Sequence, residues 1–134
     1  MVSIKFPNQR ELIMARILII DDEAMIRNLL TQMFEREGHE AVAASSGKSG
    51  LKIQREHPAD LIITDIIMPE KEGLETIMEL RRDFPDVKII AMSGGGKIKS
   101  ESYLQMAKTL GAIKSIAKPF QRDELLRTVQ ELLS

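Results

Sequence analysis

The chain contains no cysteine and no tryptophan, and its aromatic residues make up only 4% of the 134 positions. The absence of cysteine excludes disulfides, thiolate nucleophiles and zinc sites built on thiolates. Acidic and basic side chains nearly balance, at 20 and 19, which leaves a net charge of -1. A chain without an excess of positive charge has no global preference for nucleic acid or for an anionic membrane surface.

Long apolar runs are also missing. None approaches the roughly 20 residues that a membrane span requires. The N-terminus lacks the basic stretch and apolar segment of a signal peptide. We therefore expect a cytoplasmic protein that does not contact membranes. The length and the 43% hydrophobic content indicate one soluble globular domain with a substantial core.

The sequence is organised as an alternation of short apolar runs and longer segments with helical periodicity. This alternation is typical of βαβ units and a parallel sheet. Five units can be counted, and the second is the weakest. The predicted strands are ILII, positions 39–44, LIIT, positions 87–92 and AIKSIA.

Each predicted helix follows a strand and ends at a recognisable signal. The first carries its apolar residues from Met25 to Phe34, and the second runs from the N-cap candidates Ser45 and Ser46 to about residue 55. The third ends before position 84 and the fourth runs from about Ser100 to residue 110, with glycine as its stop signal. The fifth ends with the chain.

Polar residues follow four of the apolar runs at the point where each run ends. These residues are Asp21, Asp22, Asp65, Ser93 and Lys118. The carboxyl edge of an open parallel sheet is where such sheets bind ligands, so these side chains should meet there.

Taken alone, the Asp21–Asp22 pair is most simply explained as the N-cap of the first helix. Its other interpretation is metal binding, because Mg²⁺ prefers oxygen ligands and usually takes one or two carboxylates. Asp65 would add a third acid at the same edge. Three acids held together repel one another unless a cation is present, which favours the metal site.

Asp65 is the best candidate for a nucleophile. A carboxylate is ionised near pH 7 and can attack phosphorus to give an aspartyl phosphate without a separate base. The Lys118 ammonium and the Ser93 hydroxyl could take up the remaining charge. Each of these two would be an ordinary loop residue by itself, and only their places after predicted strands favour a function.

From about Ala15 to its end, the chain resembles a response regulator receiver domain. The resemblance rests on ILIIDDE, LIITDIIMPEKEG, IIAMSGG and AKPF, which occur in the family's order. It implies a flavodoxin-like (βα)5 fold, in the α/β class, with five parallel strands in the order 2-1-3-4-5 and helices on both faces.

The resemblance also implies a chemistry. Asp65 would accept a phosphoryl group from a sensor histidine kinase or a histidine phosphotransfer protein. Asp21, Asp22, Asp65 and the backbone carbonyl of Ile67 would bind Mg²⁺ or Mn²⁺. The chain would not be an enzyme beyond its own metal-dependent phosphorylation and slow dephosphorylation.

Two further site residues follow from the same resemblance. Ser93 matches the family's switch hydroxyl, and Lys118 its lysine, with a cis bond to Pro119. Receivers usually carry tyrosine or phenylalanine three residues before that lysine, where this chain has Ser115. A switch based on an aromatic ring cannot operate there, so the signal would use the Ser93 loop, the fourth helix or Ser115 itself.

A second departure concerns the lifetime of the phosphoryl group. Family members often place polar side chains two positions after the acceptor and two after the switch hydroxyl, where they orient the attacking water. Here these positions hold Ile67 and Gly95, whose side chains cannot donate or accept hydrogen bonds. We expect slow self-dephosphorylation, with local packing as the alternative explanation of both residues.

The predicted domain organisation is a receiver over residues 15–134, preceded by an extension over residues 1–14 to which we assign no role. We expect a stand-alone receiver that signals through protein contacts, because no output domain follows the fifth helix. Its fourth helix, fifth strand and fifth helix could contact a downstream protein or a second copy. Onward transfer of the phosphoryl group is equally compatible.

Three other functions can be weighed against the receiver, and the residues argue against the last two. A receiver-like module could act without phosphorylation, which the missing aromatic ring favours. A phosphatase of the haloacid dehalogenase type needs a second aspartate two residues after its nucleophile, where this chain has Ile67. A flavodoxin would need a phosphate-binding loop after the first strand, where Asp21 and Asp22 would repel phosphate.

Overall fold

The computed structural model describes residues 14–66, 72–94 and 98–134, with the backbone alone for residues 72 and 98–103. Strands and helices alternate along the chain. The strands are β1 (Arg16–Ile20), β2 (Glu40–Ala44), β3 (Leu61–Asp65), β4 (Lys88–Ser93) and β5 (Lys114–Ala117). The helices are α1 (Ala24–Arg36), α2 (Gly47–Glu56), α3 (Glu72–Asp83), α4 (Ile98–Leu110) and α5 (Arg122–Leu133).

The five predicted units are confirmed, with small shifts at their ends. The fourth strand ends on Ser93 itself, one residue later than predicted. The fourth helix begins at Ile98, two residues before the predicted start at Ser100. Such shifts arise because terminal residues are set by tertiary hydrogen bonds that apolar periodicity does not report. The weak second strand is real, and its poor pattern reflects its place at the edge of the sheet.

The strands form one parallel sheet in the order β2-β1-β3-β4-β5, as predicted. This order makes β3 the central strand, and all five of its residues are buried. A strand covered by helices on both faces should be continuously apolar, which explains the run LIIT. The register pairs Asp65 with Met92 and Ser93 with Ala117, so β3, β4 and β5 end within one residue of one another.

The two faces of the sheet carry separate cores. Alternate residues of β1 point to opposite faces, as a strand requires. Ile17 and Ile19 pack with buried residues of α1 and α5. Leu18 and Ile20 pack with buried residues of α2, α3 and α4. Helices therefore cover both faces, and the edges of the sheet at the strand ends remain available for a site.

Helix α2 starts at a capping box and lies close to the sheet. The Ser46 hydroxyl accepts a hydrogen bond from the Ser49 backbone N–H at 3.1 Å, and the Ser49 side chain reaches back to the Ser46 backbone. Of the two N-cap candidates, Ser46 is therefore the cap. One turn into the helix, a Cβ added at Gly50 would come within 2.7 Å of Cγ1 of the buried Ile20.

None of the helices in the described part of the chain combines the length and the apolar character that a membrane crossing requires.

We expect Gly50→Ala to destabilise the protein, which reverses the usual sign of this change in a helix. Alanine normally gains up to about 1 kcal/mol over glycine in a helix interior. Here the added methyl group collides with Ile20, and overpacking of a core costs about 1–3 kcal/mol. A net loss of about 1 kcal/mol in the free energy of unfolding is expected from urea titration. Lys52→Ala, at an exposed position of the same helix, is the control and should change little; a more stable Gly50→Ala would contradict the packing argument.

Candidate functional site

Four strand ends bring the predicted site residues to one edge of the sheet. Asp21 follows β1, Asp65 and Ser93 are the last residues of β3 and β4, and Lys118 follows β5. The backbone joins two of these ends directly, because the Lys118 N–H donates to the Ser93 carbonyl at 2.8 Å. The Lys118–Pro119 peptide bond is cis, as predicted.

Three of these residues form an acidic cluster. Asp21, Asp22 and Asp65 each place a carboxylate oxygen within 4.8 Å of the others. Asp21 is fully buried and Asp65 is only 3% exposed, whereas Asp22 is exposed. The cluster therefore opens to solvent on the Asp22 side and is closed on the side of the sheet. The atoms that could bind a metal ion are all carboxylate oxygens, and they lie close enough together to contact one ion. Such oxygen ligands suit Mg²⁺ or Mn²⁺.

The Lys118 ammonium lies among the acids. Its Nζ atom is 2.7 Å from Oδ2 of Asp21 and 3.3 Å from Oδ2 of Asp65. The lysine side chain is itself only 10% exposed. The ammonium thus offsets the repulsion between two buried carboxylates.

Burial and charge act in opposite directions on this lysine. Burial disfavours the charged ammonium and by itself lowers the pKa of Lys118, while the hydrogen bond to Asp21 and the charge of Asp65 raise it. The attraction of the carboxylates wins, so the pKa of Lys118 is raised above its ordinary value. The lysine is accordingly a fixed positive charge at neutral pH.

The simpler interpretation of the aspartate pair, as a helix N-cap, is wrong. Helix α1 begins at Ala24, and its N-cap residue is Glu23. Asp21 Oδ1 accepts a hydrogen bond from the Glu23 backbone N–H at 2.8 Å. This N–H group lies before the first turn of the helix. Since the pair stops short of the helix, its carboxylates are available to the cluster.

Two residues near the site were not predicted. The Glu23 carboxylate is 3.4 Å from Lys118 Nζ, and the Arg27 guanidinium donates to the Asp21 backbone carbonyl at 2.9 Å. Glu23 is part of the motif ILIIDDE, so its presence was visible. Nothing in a sequence reports which way an exposed glutamate turns, and only the fold brings Lys118 within reach.

Ser93 and the residue after it line the same edge. Ser93 is fully buried at the end of β4. A Cβ added at Gly94 would lie 3.3 Å from Cδ of Lys118. The lysine side chain therefore passes close to Gly94, and the lack of a side chain at this glycine leaves room for it.

Ser115 lies on β5, half-buried, where most receivers would carry an aromatic ring. Ile67 and Gly95 fall outside the described residues. The predicted backbone ligand and the two positions linked to dephosphorylation therefore remain predictions.

Comparison with known proteins identifies the family. The family model of the response regulator receiver domain matches residues 17–130, which is most of the chain. The chain belongs to the response regulator receiver family. Receiver domains act in two-component and phosphorelay signalling, where they interact with histidine kinases or phosphotransfer proteins.

Individual relatives agree with this assignment. The receiver is 32% identical over 118 residues to sporulation initiation phosphotransferase F of Bacillus subtilis, covering 88% of this chain and 93% of the relative. It is 34% identical over 120 residues to the chemotaxis protein CheY of the same organism, covering 89% and 98%. Its fold matches the crystal structure of NtrX from Brucella abortus in complex with ADP, with a TM-score of 0.82 and 30% identity. That match covers 90% of this chain and 27% of NtrX.

The raised pKa of Lys118 predicts a loss of stability in alkali for the metal-free receiver. A group whose pKa is raised on folding stabilises the protein fully below its ordinary pKa, here 10.5, and loses this contribution as the pH rises further. We expect Lys118→Met to cost about 1–3 kcal/mol near neutral pH, less than a fully buried pair because the site is partly open to water. This cost should shrink as the pH rises above 10.5, because the lysine of the unfolded chain then loses its proton while the folded protein still holds it.

The measurement is the free energy of unfolding from urea titrations between neutral and strongly alkaline pH. The exposed Lys52→Met variant controls for the general effect of alkali and should track the wild type throughout. If the difference in free energy of unfolding between the wild type and Lys118→Met stays constant in alkali, the raised pKa of Lys118 is contradicted.

Proposed function

We propose that Asp65 is the phosphoryl acceptor of this receiver domain. The donor would be a phosphohistidine on a sensor histidine kinase or a histidine phosphotransfer protein. The observation that carries the proposal is the contact between Asp65 Oδ2 and Lys118 Nζ at 3.3 Å, at the carboxyl edge of the sheet. An ammonium fixed beside the nucleophile stabilises the negative charge that a phosphoryl group brings to this carboxylate.

The reaction is a displacement at phosphorus. An oxygen of the Asp65 carboxylate forms the new O–P bond while the N–P bond of the phosphohistidine breaks. The leaving nitrogen keeps the electron pair, and a proton on the other ring nitrogen makes the departing imidazole neutral. Asp65 needs no general base, because a carboxylate attacks phosphorus without giving up a proton.

A divalent cation is part of the proposal. Asp21, Asp22 and Asp65 would hold it, with the backbone carbonyl of Ile67 as the further ligand implied by the family. When bound, Mg²⁺ or Mn²⁺ would supply positive charge that offsets the charge of the phosphoryl oxygens. Lys118 and the Ser93 hydroxyl would take up the charge that remains.

The same residues support a switch that is slow to reset, not an enzyme that turns over. Asp65 is only 3% exposed. Two positions later, where a polar side chain could orient the attacking water, the chain has Ile67, which cannot form hydrogen bonds through its side chain. We therefore expect one phosphoryl group per chain with a long lifetime, and no catalysis beyond this self-modification.

Signalling would proceed through the face formed by α4, β5 and α5. Met106 of α4 is 50% exposed and Ile113, just before β5, is 42% exposed, which makes this face suitable for protein contacts. A downstream protein or a second copy of the chain could bind there. Because Ser115 replaces the aromatic ring on β5, the phosphorylated state would be read without a ring movement.

A second candidate function is an interaction module that works without phosphorylation. Ser115 is the observation that favours it, because the usual link between the switch hydroxyl and the output face is missing. The complete set of Asp21, Asp22, Asp65 and Lys118 at one edge favours phosphorylation.

We expect wild-type protein incubated with acetyl phosphate and Mg²⁺ to gain the mass of one phosphoryl group. Intact-protein mass spectrometry measures the gain directly. Asp65→Asn should abolish it, because an amide is not a nucleophile for phosphorus, and so should removal of the metal with a chelator. Asp86→Asn, which changes an exposed aspartate at the far end of the domain, is the matched control and should be phosphorylated like the wild type.

If the wild type gains nothing from acetyl phosphate or from a phosphorylated histidine phosphotransfer protein, the interaction module becomes the better assignment. Gain of the group by Asp65→Asn would place the acceptor elsewhere.

We further expect Ile67→Asn to shorten the lifetime of the phosphoryl group about fivefold. A side-chain amide at this position could orient the attacking water, and one such hydrogen bond is worth about 1 kcal/mol. The decay is followed by mass spectrometry after the phosphodonor has been removed. Ile67→Val is the control, since it changes the size of the side chain but keeps it apolar; equal acceleration in both variants would attribute the effect to packing.

A further inference from the structure

Lys118 contacts a third acid besides the two buried aspartates. Its ammonium lies 2.7 Å from Asp21, 3.3 Å from Asp65 and 3.4 Å from Oε1 of Glu23. An ammonium has three N–H donors, so three acceptors engage its full capacity. A phosphoryl oxygen on Asp65 can receive a hydrogen bond from Lys118 only if one of these contacts gives way.

Glu23 is unusual in its position. It is the N-cap of α1, with φ -90° and ψ 117°, but its side chain makes no capping hydrogen bond. Acidic side chains near a helix N-terminus are stabilised by the N–H groups and the dipole of the helix. The Glu23 carboxylate instead turns toward a lysine 95 positions away in the sequence.

Glu23 also differs from the other two acids in what it could do when a cation binds. Asp21 and Asp65 belong to the cluster whose oxygens lie within 4.8 Å of one another, and Glu23 does not. Carboxylates engaged by a metal ion hold an ammonium less strongly. Glu23 has no such competing demand, so it would keep its hold on Lys118 in the metal-loaded receiver.

The Glu23 contact is nevertheless the weakest of the three. It is the longest, and the glutamate side chain is 60% exposed, so water and salt screen it. The two aspartates are buried and cannot move away without exposing charge to the interior. Glu23 can turn into solvent, which makes it the partner that yields when the phosphoryl group arrives.

We propose that Glu23 is a positioning residue that holds the Lys118 ammonium in the unphosphorylated receiver and competes with the phosphoryl group for it. The inference rests on the proposed roles of Asp65 and Lys118 and adds a regulatory contact to them. Loss of the contact releases Lys118 and strengthens binding of a phosphoryl group at Asp65.

Two substitutions separate the contact from the charge. Glu23→Gln keeps the length of the side chain and removes its charge, whereas Glu23→Asp keeps the charge and shortens the reach by one methylene group. If the contact matters, both variants hold Lys118 less strongly, because an amide oxygen is a weaker acceptor than a carboxylate and an aspartate does not reach as far. If Glu23 acts only through its negative field on an anionic ligand, Glu23→Asp behaves like the wild type. Glu35→Gln, on the exposed surface of the same helix, is the control.

The first readout is the apparent affinity for beryllium trifluoride in the presence of Mg²⁺, because this anion mimics a phosphoryl group on a carboxylate. We expect both Glu23 variants to bind it about two- to fivefold more tightly than the wild type and Glu35→Gln, the range for one partly screened ion pair. The second readout is the ¹⁵N resonance of the Lys118 ammonium in metal-free protein. It should shift in both Glu23 variants and not in Glu35→Gln.

Three results would overturn the inference. Wild-type affinity in both Glu23 variants would mean that no competition exists, while the role of Asp65 would stand. Tighter binding by Glu23→Gln alone would attribute the effect to charge. Failure of the wild type to bind the anion or to accept a phosphoryl group would remove the proposed function, and the competition with it.

Discussion

The Lys118 ammonium lies between two buried carboxylates, and the rest of the site depends on this contact. Asp21 and Asp65 come from the ends of adjacent strands, where the sheet excludes water from both. Two anions so placed repel each other, and their burial costs free energy unless positive charge is close. Lys118 supplies that charge from the end of β5 at 2.7 Å and 3.3 Å. A cation at the acidic cluster and a phosphoryl group on Asp65 would both enter this balance, which is why a small chemical change there can alter the whole edge.

The sheet makes the contact possible. Helices cover both faces of the sheet with separate apolar cores. The carboxyl edge is the place where loops and strand ends meet water. The ends of β3, β4 and β5, which lie within one residue of one another in register, then bring Asp65, Ser93 and Lys118 to one edge. The architecture thus fixes which residues meet, and the side chains decide what they can do together.

Much of this arrangement is predictable because its signals are local. Continuous apolar runs identify buried parallel strands, and the polar residue that ends each run marks the edge where ligands bind. Capping is also local in part, since the serines before α2 predict its start. The interpretation of Asp21 and Asp22 as a helix cap was wrong because α1 begins at Ala24, with Glu23 as its N-cap. A sequence pattern locates the start of a helix only to within a few residues. Glu23 was missed because its partner follows β5, 95 positions away, and an exposed glutamate gives no signal of its orientation.

The sequence by itself determined the order of strands and helices, the family and the residues able to carry the chemistry, because these follow from hydrophobic periodicity and from motifs within short stretches of chain. Only the tertiary structure decided which carboxylates are buried, that Asp65 and Asp21 share one ammonium, and that Glu23 reaches the same lysine. Those properties depend on distances between residues far apart in sequence. Burial and electrostatic coupling arise from the packing of several strands at once, so no local pattern can report them.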